Sequence, residues 1–326
     1  MQQSTFKNSK WFKIIKQLGI VWALLVLVLI MACLKSTFLK PANLLLILKQ
    51  SSLTGIMAVG MAMVIITGGI DLSVGSVLAT CTMIASFCTT SSYSWEPMSV
   101  FMTFVICLFV GALFGLLNGF FISYLDFAPF IVTMSTLSIG RGIALVVTNG
   151  RSVFNLTEEF IAVANTSWLG LSSLVYYWLV VVILGVFITR KTVYGKWLYA
   201  IGGNQDATRL SGINVRLTKM IAYVISGMCA GLTGLLMCSR TTSGQPPVGD
   251  GDELNAIASC VIGGISMTGG SGSLIGTVVG VLILTVISNG FDVMGVPSNY
   301  QKIMKGIIIL IAVYIDRVSK RRQQRI

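Results

Sequence analysis

The sequence predicts an all-α polytopic membrane protein with about ten transmembrane helices, some of them broken. Three observations lead to this fold class. Hydrophobic residues make up 55% of the 326-residue chain, charged residues only 10%, and the mean hydropathy is +0.86; no soluble domain of this length buries so much apolar surface. The apolar residues fall into runs of about 20, the length that crosses a bilayer. Gly-Gly pairs interrupt some of these runs.

The runs follow one another with only short polar connectors between them. They lie at about 18–34, 44–66, 72–88, 98–121, 128–148, 169–189, 220–240, 254–268, 273–291 and 302–316. The eighth run is the weakest of them. Since the connectors leave no room for a soluble domain, we expect residues 1–326 to form a single transmembrane domain.

The net charge of +12 is concentrated in three polar regions. These are the segment before the first run, with Lys7, Lys10, Lys13 and Lys16, the connector 190–219, and the tail 317–326. The positive-inside rule places all three in the cytoplasm, which requires an even number of crossings. By the same parity, segment 241–253, which has three acidic residues and no Lys or Arg, lies outside.

The stretch from Met57 to Thr80 is interrupted by Gly68, Gly69 and Asp71. A broken apolar segment must be buried in protein or face an aqueous path. An ionisable group in such a segment suggests a functional role. Three roles for Asp71 remain open. It could cap the next helix, belong to a polar path or a joint between proteins, or couple transport to protons.

A similar pattern recurs near the C-terminus. Gly263, Gly264 and Ile265 again follow an apolar run and precede Ser, Gly and another apolar run. Corresponding glycine-interrupted segments in two halves indicate the central site of a transporter. Chance, or a turn that both segments need, is the alternative.

Glycines at four-residue spacing predict close helix packing within the bundle, with a contact between subunits as the alternative. They form the series Gly111, Gly115, Gly119; Gly227, Gly231; and Gly272, Gly276, Gly280. Arg141 is the other charge inside an apolar run. We expect it either to reach toward the outer surface or to pair with a carboxylate such as Asp71.

The connector 190–219 contains two helix-compatible stretches, Lys196–Ala200 and Gln205–Ser211, and Gly212 suits the C′ position after the second. We expect a compact amphipathic element on the inner face that docks a cytoplasmic partner. The alternatives are an ordinary basic loop or a helix that lies on anionic lipid.

Several activities are excluded. The chain has no His, its seven Cys lie in apolar runs without metal-ligand spacing, and no phosphate-binding G-x-x-x-x-G-K-[ST] loop occurs. The chain therefore cannot itself be the ATPase of a pump, and we expect it to be no enzyme and to bind no cofactor. A transporter of polar solutes that has no energy source of its own implies a partner protein that supplies the energy.

Three motifs give the sequence a specific resemblance. TGGIDLSVGSVLA (67–79), GKWLYAIGGNQDATRLSGINV (195–215) and VIGGISMTGGSGSLIGTVVGVLIL (261–284) resemble the membrane permease subunits of bacterial ABC importers for ribose and related monosaccharides. The similarity extends from about residue 40 to 316. Ser266, Met267, Thr268 and Ser271 depart from the residues that are common in the family.

The resemblance implies a set of partners and a location. Two copies, as a homodimer or with a sister chain, would line a path in the bacterial inner membrane, with both termini cytoplasmic. A binding protein would deliver the sugar outside, and a partner ATPase that uses ATP and Mg would dock inside; no nucleic acid is involved.

The resemblance also implies two groups of site residues. The ATPase-coupling group is Gly195, Ala200, Gly202, Asn204, Ala207, Arg209, Gly212 and Ile213. The group near the path or in the hallmark motif is Gly68, Gly69, Asp71, Ser73, Gly263 and Gly264.

The expected function is the permease subunit of an ATP-driven monosaccharide importer that works by alternating access. A secondary proton-coupled sugar carrier that uses Asp71 is the alternative, and a channel-like pore is a third possibility. The sequence does not specify the sugar.

Overall fold

The structure, a computed structural model, describes residues 19–92 and 94–323. They form thirteen helices and one hairpin of two-residue strands. The elements are α1 (Gly19–Leu34), α2 (Pro41–Ile66), α3 (Val74–Thr89), α4 (Val100–Ser123), α5 (Pro129–Val146), α6 (Glu158–Asn165), β1 (Ser167–Trp168), β2 (Leu171–Ser172), α7 (Ser173–Lys191), α8 (Val193–Gly203), α9 (Gln205–Leu210), α10 (Val215–Thr241), α11 (Asp252–Ile262), α12 (Leu274–Val293) and α13 (Ser298–Gln323). The predicted basic segment with Lys7, Lys10, Lys13 and Lys16 lies outside the described residues.

The predicted all-α membrane fold is confirmed. Six helices of the described chain, α2, α4, α5, α7, α10 and α12, are long and apolar enough to cross a membrane, and α1 and α3 are shorter apolar helices. Most predicted runs differ from the observed helices by a few residues. The exception is the eighth run, predicted at 254–268, because α11 already ends at Ile262.

Helices α2 and α10 form the centre of the bundle. In their most apolar 18-residue windows, 61% and 72% of the residues are buried, against 28% in α4, α5 and α7. The outer helices turn large side chains such as Phe101, Phe109 and Val146 outward. In a membrane protein these outward side chains can face lipid, because lipid does not penalise exposed apolar groups.

The prediction that glycine series pack helices within the bundle is confirmed for α4 and α10. Gly111, Gly115 and Gly119 face Gly227, Tyr223 and Met220 in antiparallel order, and a Cβ at each glycine would collide with backbone atoms of α10. The third series behaves alike: a Cβ at Gly276 would collide with Gly263, the residue after α11, and one at Gly280 with Ser259 of α11. Small residues allow this close approach of two backbones.

The bundle has two ends, which we name by their small elements. Helix α7 starts at the hairpin β1–β2 and runs to α8 and α9, so these lie at opposite ends, the hairpin end and the α8–α9 end. The hairpin and α6 were not predicted. Isolated bridges Thr90–Leu156 and Val153–Gly244 hold the loops of the hairpin end together, and such pairings of distant segments leave no periodic signal in the sequence.

Candidate functional site

The break after α2 is built by a glycine turn. Thr67 is the C-cap, and Gly68 follows with φ of 81°. The N–H of Gly68 donates to the Ile65 carbonyl at 2.9 Å and that of Gly69 to the Val64 carbonyl at 3.1 Å. This is a Schellman motif, and its C′ position favours Gly because the left-handed conformation strains other residues.

The second break has the same construction with an offset of one residue. Here Gly263 is the C-cap of α11 and Gly264, with φ of 86°, takes the C′ position. The N–H groups of Gly264 and Ile265 donate to Val261 and Cys260 at 2.9 Å each. The two Gly-Gly-Ile runs are therefore not equivalent residue by residue. What the segments share is a turn, followed by a Ser directly before the next helix.

Asp71 is the centre of a buried hydrogen-bond network. Its side chain is 1% exposed. Oδ1 accepts from the Ser73 hydroxyl at 2.6 Å, the Ser73 N–H at 3.1 Å and Asn118 Nδ2 at 3.3 Å, while Oδ2 accepts from the Ser226 hydroxyl at 2.9 Å. The donors come from the loop before α3, from α4 and from α10.

The network continues beyond the carboxyl group. Asn118 Nδ2 also donates to Ser73 Oγ at 2.8 Å, and Asn118 Oδ1 accepts from the Thr136 hydroxyl of α5 at 2.6 Å. Tyr223 of α10 donates to the Ile70 carbonyl at 3.2 Å. Every polar atom of this chain of contacts has a partner, which such buried groups require. Three helices, α4, α5 and α10, thus hold the loop between α2 and α3.

This arrangement bears on the three roles of Asp71. The backbone bond to Ser73 N–H meets the capping alternative only in part, because Ser73 is itself the N-cap residue and its side chain makes no capping bond. The other three hydrogen bonds come from side chains, those of Ser73, of Asn118 on α4 and of Ser226 on α10. Asp71 therefore joins helices within the chain.

Arg141 does not pair with Asp71. Its Nη1 donates to the carbonyl oxygens of Pro246 and Val248, both at 2.8 Å, in the loop between α10 and α11. Of the two expectations for Arg141, the pairing with Asp71 is therefore wrong. The side chain reaches the hairpin end, where it binds backbone oxygens.

The two breaks and the end of α8 meet at one point, which we call the glycine junction (Gly68, Gly202, Gly269 and Gly270). The N–H of Gly270 donates to the Ile66 carbonyl at 2.9 Å. A Cβ at Gly202 would collide with Ile66 and Gly270, and one at Gly269 would lie 2.7 Å from the Gly68 nitrogen. Three chain segments touch here through backbone atoms only.

Tyrosines on α8 add to this connection. Tyr199 donates to the Gly272 carbonyl in the second break, and Tyr194 to the Thr218 carbonyl of α10, each at 3.1 Å. Burial raises the pKa of both phenols above the usual range. Both groups therefore remain protonated donors at neutral pH, and α8 is tied to the second break and to α10.

The predicted ATPase-coupling residues divide into two sets. Exposed residues are Ala200, Asn204, Ala207, Arg209 and Gly212, while Gly195 is buried and Gly202 and Ile213 are half-buried. Helix α8 continues through Gly203, further than the predicted stretch to Ala200. Asn204 caps α9 by accepting from the Ala207 N–H at 2.9 Å, and Gly212 has φ of 81° at the predicted C′ position.

The apolar side chains of α9 point outward. Leu210 is 89% exposed and Ala207 is also exposed, whereas Thr208 faces the bundle. Ala207 and Leu210 thus form a small exposed apolar surface at the α8–α9 end.

The sequence reasoning missed a polar cavity at the hairpin end. It measures about 270 Å³ and lies between α2, α3, α10, α11, α12 and α13. Its charged lining residues are Arg240, Asp252, Asp292 and Lys305. Helical periodicity could have indicated Gln50 and Thr54 as a polar stripe on α2, but nothing in the sequence relates them to α11 or α13.

Comparisons with known proteins decide the family. Residues 43–313 match the family described as branched-chain amino acid transport system / permease component. The chain belongs to this family. It is a membrane permease subunit, which is not an enzyme.

Several curated relatives cover nearly the whole chain. The ribose import permease protein RbsC of Bacillus subtilis (strain 168) is 39% identical over 318 residues, 97% of each chain. RbsC of Escherichia coli (strain K12) is 39% identical over 300 residues, 90% of this chain and 91% of the relative. The xylose transport system permease protein XylH of the same strain is 34% identical over 87% of each chain. The comparison with solved structures found no match.

Proposed function

We propose that this chain is the permease subunit of an ATP-driven ABC importer for ribose or a related monosaccharide. The observation that carries the proposal is the 39% identity to ribose import permeases over 97% of both chains. The family description mentions branched-chain amino acids, but the relatives reported above are named for pentoses. Sugar is therefore the better-supported substrate class.

The importer would contain several partners. A partner ATPase that uses ATP and Mg docks at the α8–α9 end, an extracytoplasmic binding protein delivers the sugar at the hairpin end, and a second permease copy completes the path. The exposed apolar face of α9 supports the ATPase site. The chain itself binds no cofactor in this scheme.

We further propose ten crossings with both termini in the cytoplasm of a bacterium and the hairpin end outside. The six long helices, the shorter α1 and α3, α13, and the short α11 together with the break that follows it make ten. Contacts support the alternation of direction. Asn43 near the start of α2 exchanges two hydrogen bonds of 2.9 Å with Asn289 near the end of α12, and Met31 near the end of α1 meets Gly290.

The mechanism would be alternating access. Nucleotide binding to the ATPase moves α8 and α9, and the glycine junction transmits this movement to both breaks. Tyr199 and Gly202 are the contacts through which α8 acts. Nucleotide can shift the bundle only by its different affinity for the two states, so the coupling surface must differ between them.

The test replaces an exposed residue of the coupling surface. Ala207→Trp should abolish ATP-dependent ribose uptake in vesicles that hold the permease, its ATPase and its binding protein, while membrane insertion stays intact. Ala207 is the better site than Gly212, whose positive φ strains any substitute. Ala42→Trp, at the exposed start of α2, is the control. Unchanged uptake by Ala207→Trp would refute the docking assignment.

The rival mechanism is a proton-coupled carrier that uses Asp71. Family membership does not favour it. Uptake that survives a protonophore and stops when the partner ATPase loses its phosphate-loop lysine supports the importer. Uptake by the permease alone in sealed vesicles, driven by a proton gradient, would support the carrier.

A further inference from the structure

We propose that the polar cavity at the hairpin end is a binding site for one monosaccharide, contained within a single copy of the chain. All its walls come from the helices of this one chain, α2, α3, α10, α11, α12 and α13. A volume of about 270 Å³ lies just below the roughly 300–1,000 Å³ typical of pockets for larger, drug-sized ligands. One pentose or hexose fits such a volume, and a disaccharide does not.

The lining has the composition that a sugar requires. Eleven of the sixteen lining residues are polar, and they include hydroxyls (Thr54, Thr233, Thr285 and Ser288) and amides (Gln50, Asn255 and Gln301). Each sugar hydroxyl both donates and accepts, so a mixed set of side chains suits it. Leu53, Met57 and Leu78 provide an apolar patch for the C–H face of a ring.

The charges of the lining favour a neutral solute over an ion. Arg240 and Lys305 balance Asp252 and Asp292, so the formal charge of the wall is zero. No ion pair joins these four side chains within the described part of the molecule, where the ion pair found is Lys302 with Asp250. The charged groups are thus available to hydroxyls, which form stronger hydrogen bonds with charged groups than with neutral ones.

Some of the polar side chains are already oriented. Asn255 Nδ2 donates to Asp252 Oδ1 at 3.0 Å, and Gln301 Nε2 donates to Asp292 Oδ1 at 2.9 Å and to the Val296 carbonyl at the same distance. Each carboxyl group is held by one neighbour and keeps its other oxygen free of hydrogen bonds from the described residues. Such preorganisation lowers the cost of binding a ligand.

Polarity is not a general property of cavities in this protein. A second cavity, of about 250 Å³, lies between α2, α4, α7 and α10, and its lining includes Val59, Met63, Leu184 and Leu232. None of its lining side chains is charged or carries an oxygen or nitrogen atom. The two cavities have similar sizes and opposite character, so a cavity of this size in the protein is not polar by default.

The choice of a monosaccharide as the neutral solute rests on the proposed function. The preference for a neutral hydroxylated solute follows from the cavity alone. The location between α2 and α10 places the solute beside the two helices that also contact the Asp71 network, because Ser226 belongs to α10 and Asp71 follows α2.

The test is cysteine protection in the purified full-length permease in nanodiscs. Thr54→Cys is close in volume and places a thiol in the cavity wall, and Leu169→Cys, at a residue that is 99% exposed, is the control at the same end. Both are made with the exposed Cys33 replaced by Ser, since the other six cysteines are buried. The probe is a small water-soluble thiol reagent, with D-ribose or sucrose added.

D-Ribose should slow modification of Thr54→Cys and leave Leu169→Cys unchanged, and sucrose should protect neither. Modification of Thr54→Cys that D-ribose does not slow would overturn the site, because the cavity would then hold only water. Failure of the reagent to reach Thr54→Cys would overturn it as well. Protection without ATP-dependent ribose uptake by the complete complex would instead refute the proposed importer and leave the site standing.

Matched carboxyl variants test the specificity of the wall. Asp252→Asn should raise the D-ribose concentration for half protection by about tenfold, because it replaces a charged acceptor. Asp250→Asn, with a side chain that is 74% exposed and outside the cavity lining, should leave it unchanged. Gln50→Met serves as a second variant if Asp252→Asn does not fold. Equal protection in all variants would overturn the assignment.

Discussion

At the scale of single residues, Asp71 shows how a carboxyl group is accommodated inside an apolar bundle. Four hydrogen bonds from Ser73, Asn118 and Ser226 surround its two oxygens. Removal of one partner from a buried polar group costs the desolvation of the group left behind. The network therefore behaves as a unit, and a change in any member affects the others.

Asp71→Asn should lower the free energy of unfolding of the purified permease by about 1–3 kcal/mol. An amide nitrogen in place of one oxygen faces the donors Ser226 or Ser73 and cannot accept from them. Thermal unfolding in detergent measures the change, with Asp250→Asn as the exposed carboxyl control. Unchanged stability would show that the network does not hold the helices together.

The sequence indicated Asp71 but not its partners. A carboxyl group after Gly-Gly in an apolar run stands out by its composition. Asn118, Thr136 and Ser226 each lie in a different helix, and nothing in their local sequence relates them to residue 71. Only helix packing brings them together, which is why the sequence alone left three roles for Asp71 open.

At the scale of elements, most helix ends are set by local chemistry and were predictable. Gly212 follows α9 at C′, and Asn204 caps the same helix as such residues commonly do. The end of α11 at Ile262 was missed although the Gly263–Gly264 interruption was noted, because the apolar or small residues 263–268 let the hydropathy run continue across the left-handed Gly264. A prediction from hydropathy continues a helix until it reaches a charged residue or a proline, whereas a glycine turn ends the real helix earlier.

The glycine junction predicts a difference between two adjacent glycines of α8. Gly202→Ala should reduce the free energy of unfolding by about 1–3 kcal/mol and impair ATP-driven uptake. The reason is that the added methyl group collides with backbone atoms of Ile66 and Gly270. Gly203→Ala is the matched control, since no atom lies within 4 Å of its added Cβ. Thermal unfolding and uptake measure both effects. Equal behaviour of the two variants would contradict a close contact at Gly202.

At the scale of the whole molecule, three sites lie at different positions between the two ends of the bundle. The polar cavity lies at the hairpin end, the Asp71 network lies deeper, and the glycine junction joins both breaks to α8. Composition alone was enough to predict the all-α membrane class. The order of these three sites depends on which helices are neighbours, and hydropathy contains no information on that.

The proposed orientation predicts opposite reactivity of two engineered cysteines. With Cys33 replaced by Ser, a membrane-impermeant thiol reagent should modify Leu169→Cys in intact cells, because that residue lies in the exposed hairpin turn. Ala207→Cys should react only after the membrane is permeabilised. Labelling of Ala207→Cys in intact cells would reverse the assignment of the two ends.

The glycine junction also has a consequence for genetics. A defect caused by overpacking is usually relieved by a second mutation that shrinks the neighbouring side chain. At Gly202, Gly269 and Gly270 the neighbouring atoms belong to the backbone of Ile66 and of other glycines, so no change of a side chain can make room. Suppressors of a Gly202 mutant should therefore be found elsewhere, in segments that allow α8 to shift as a body.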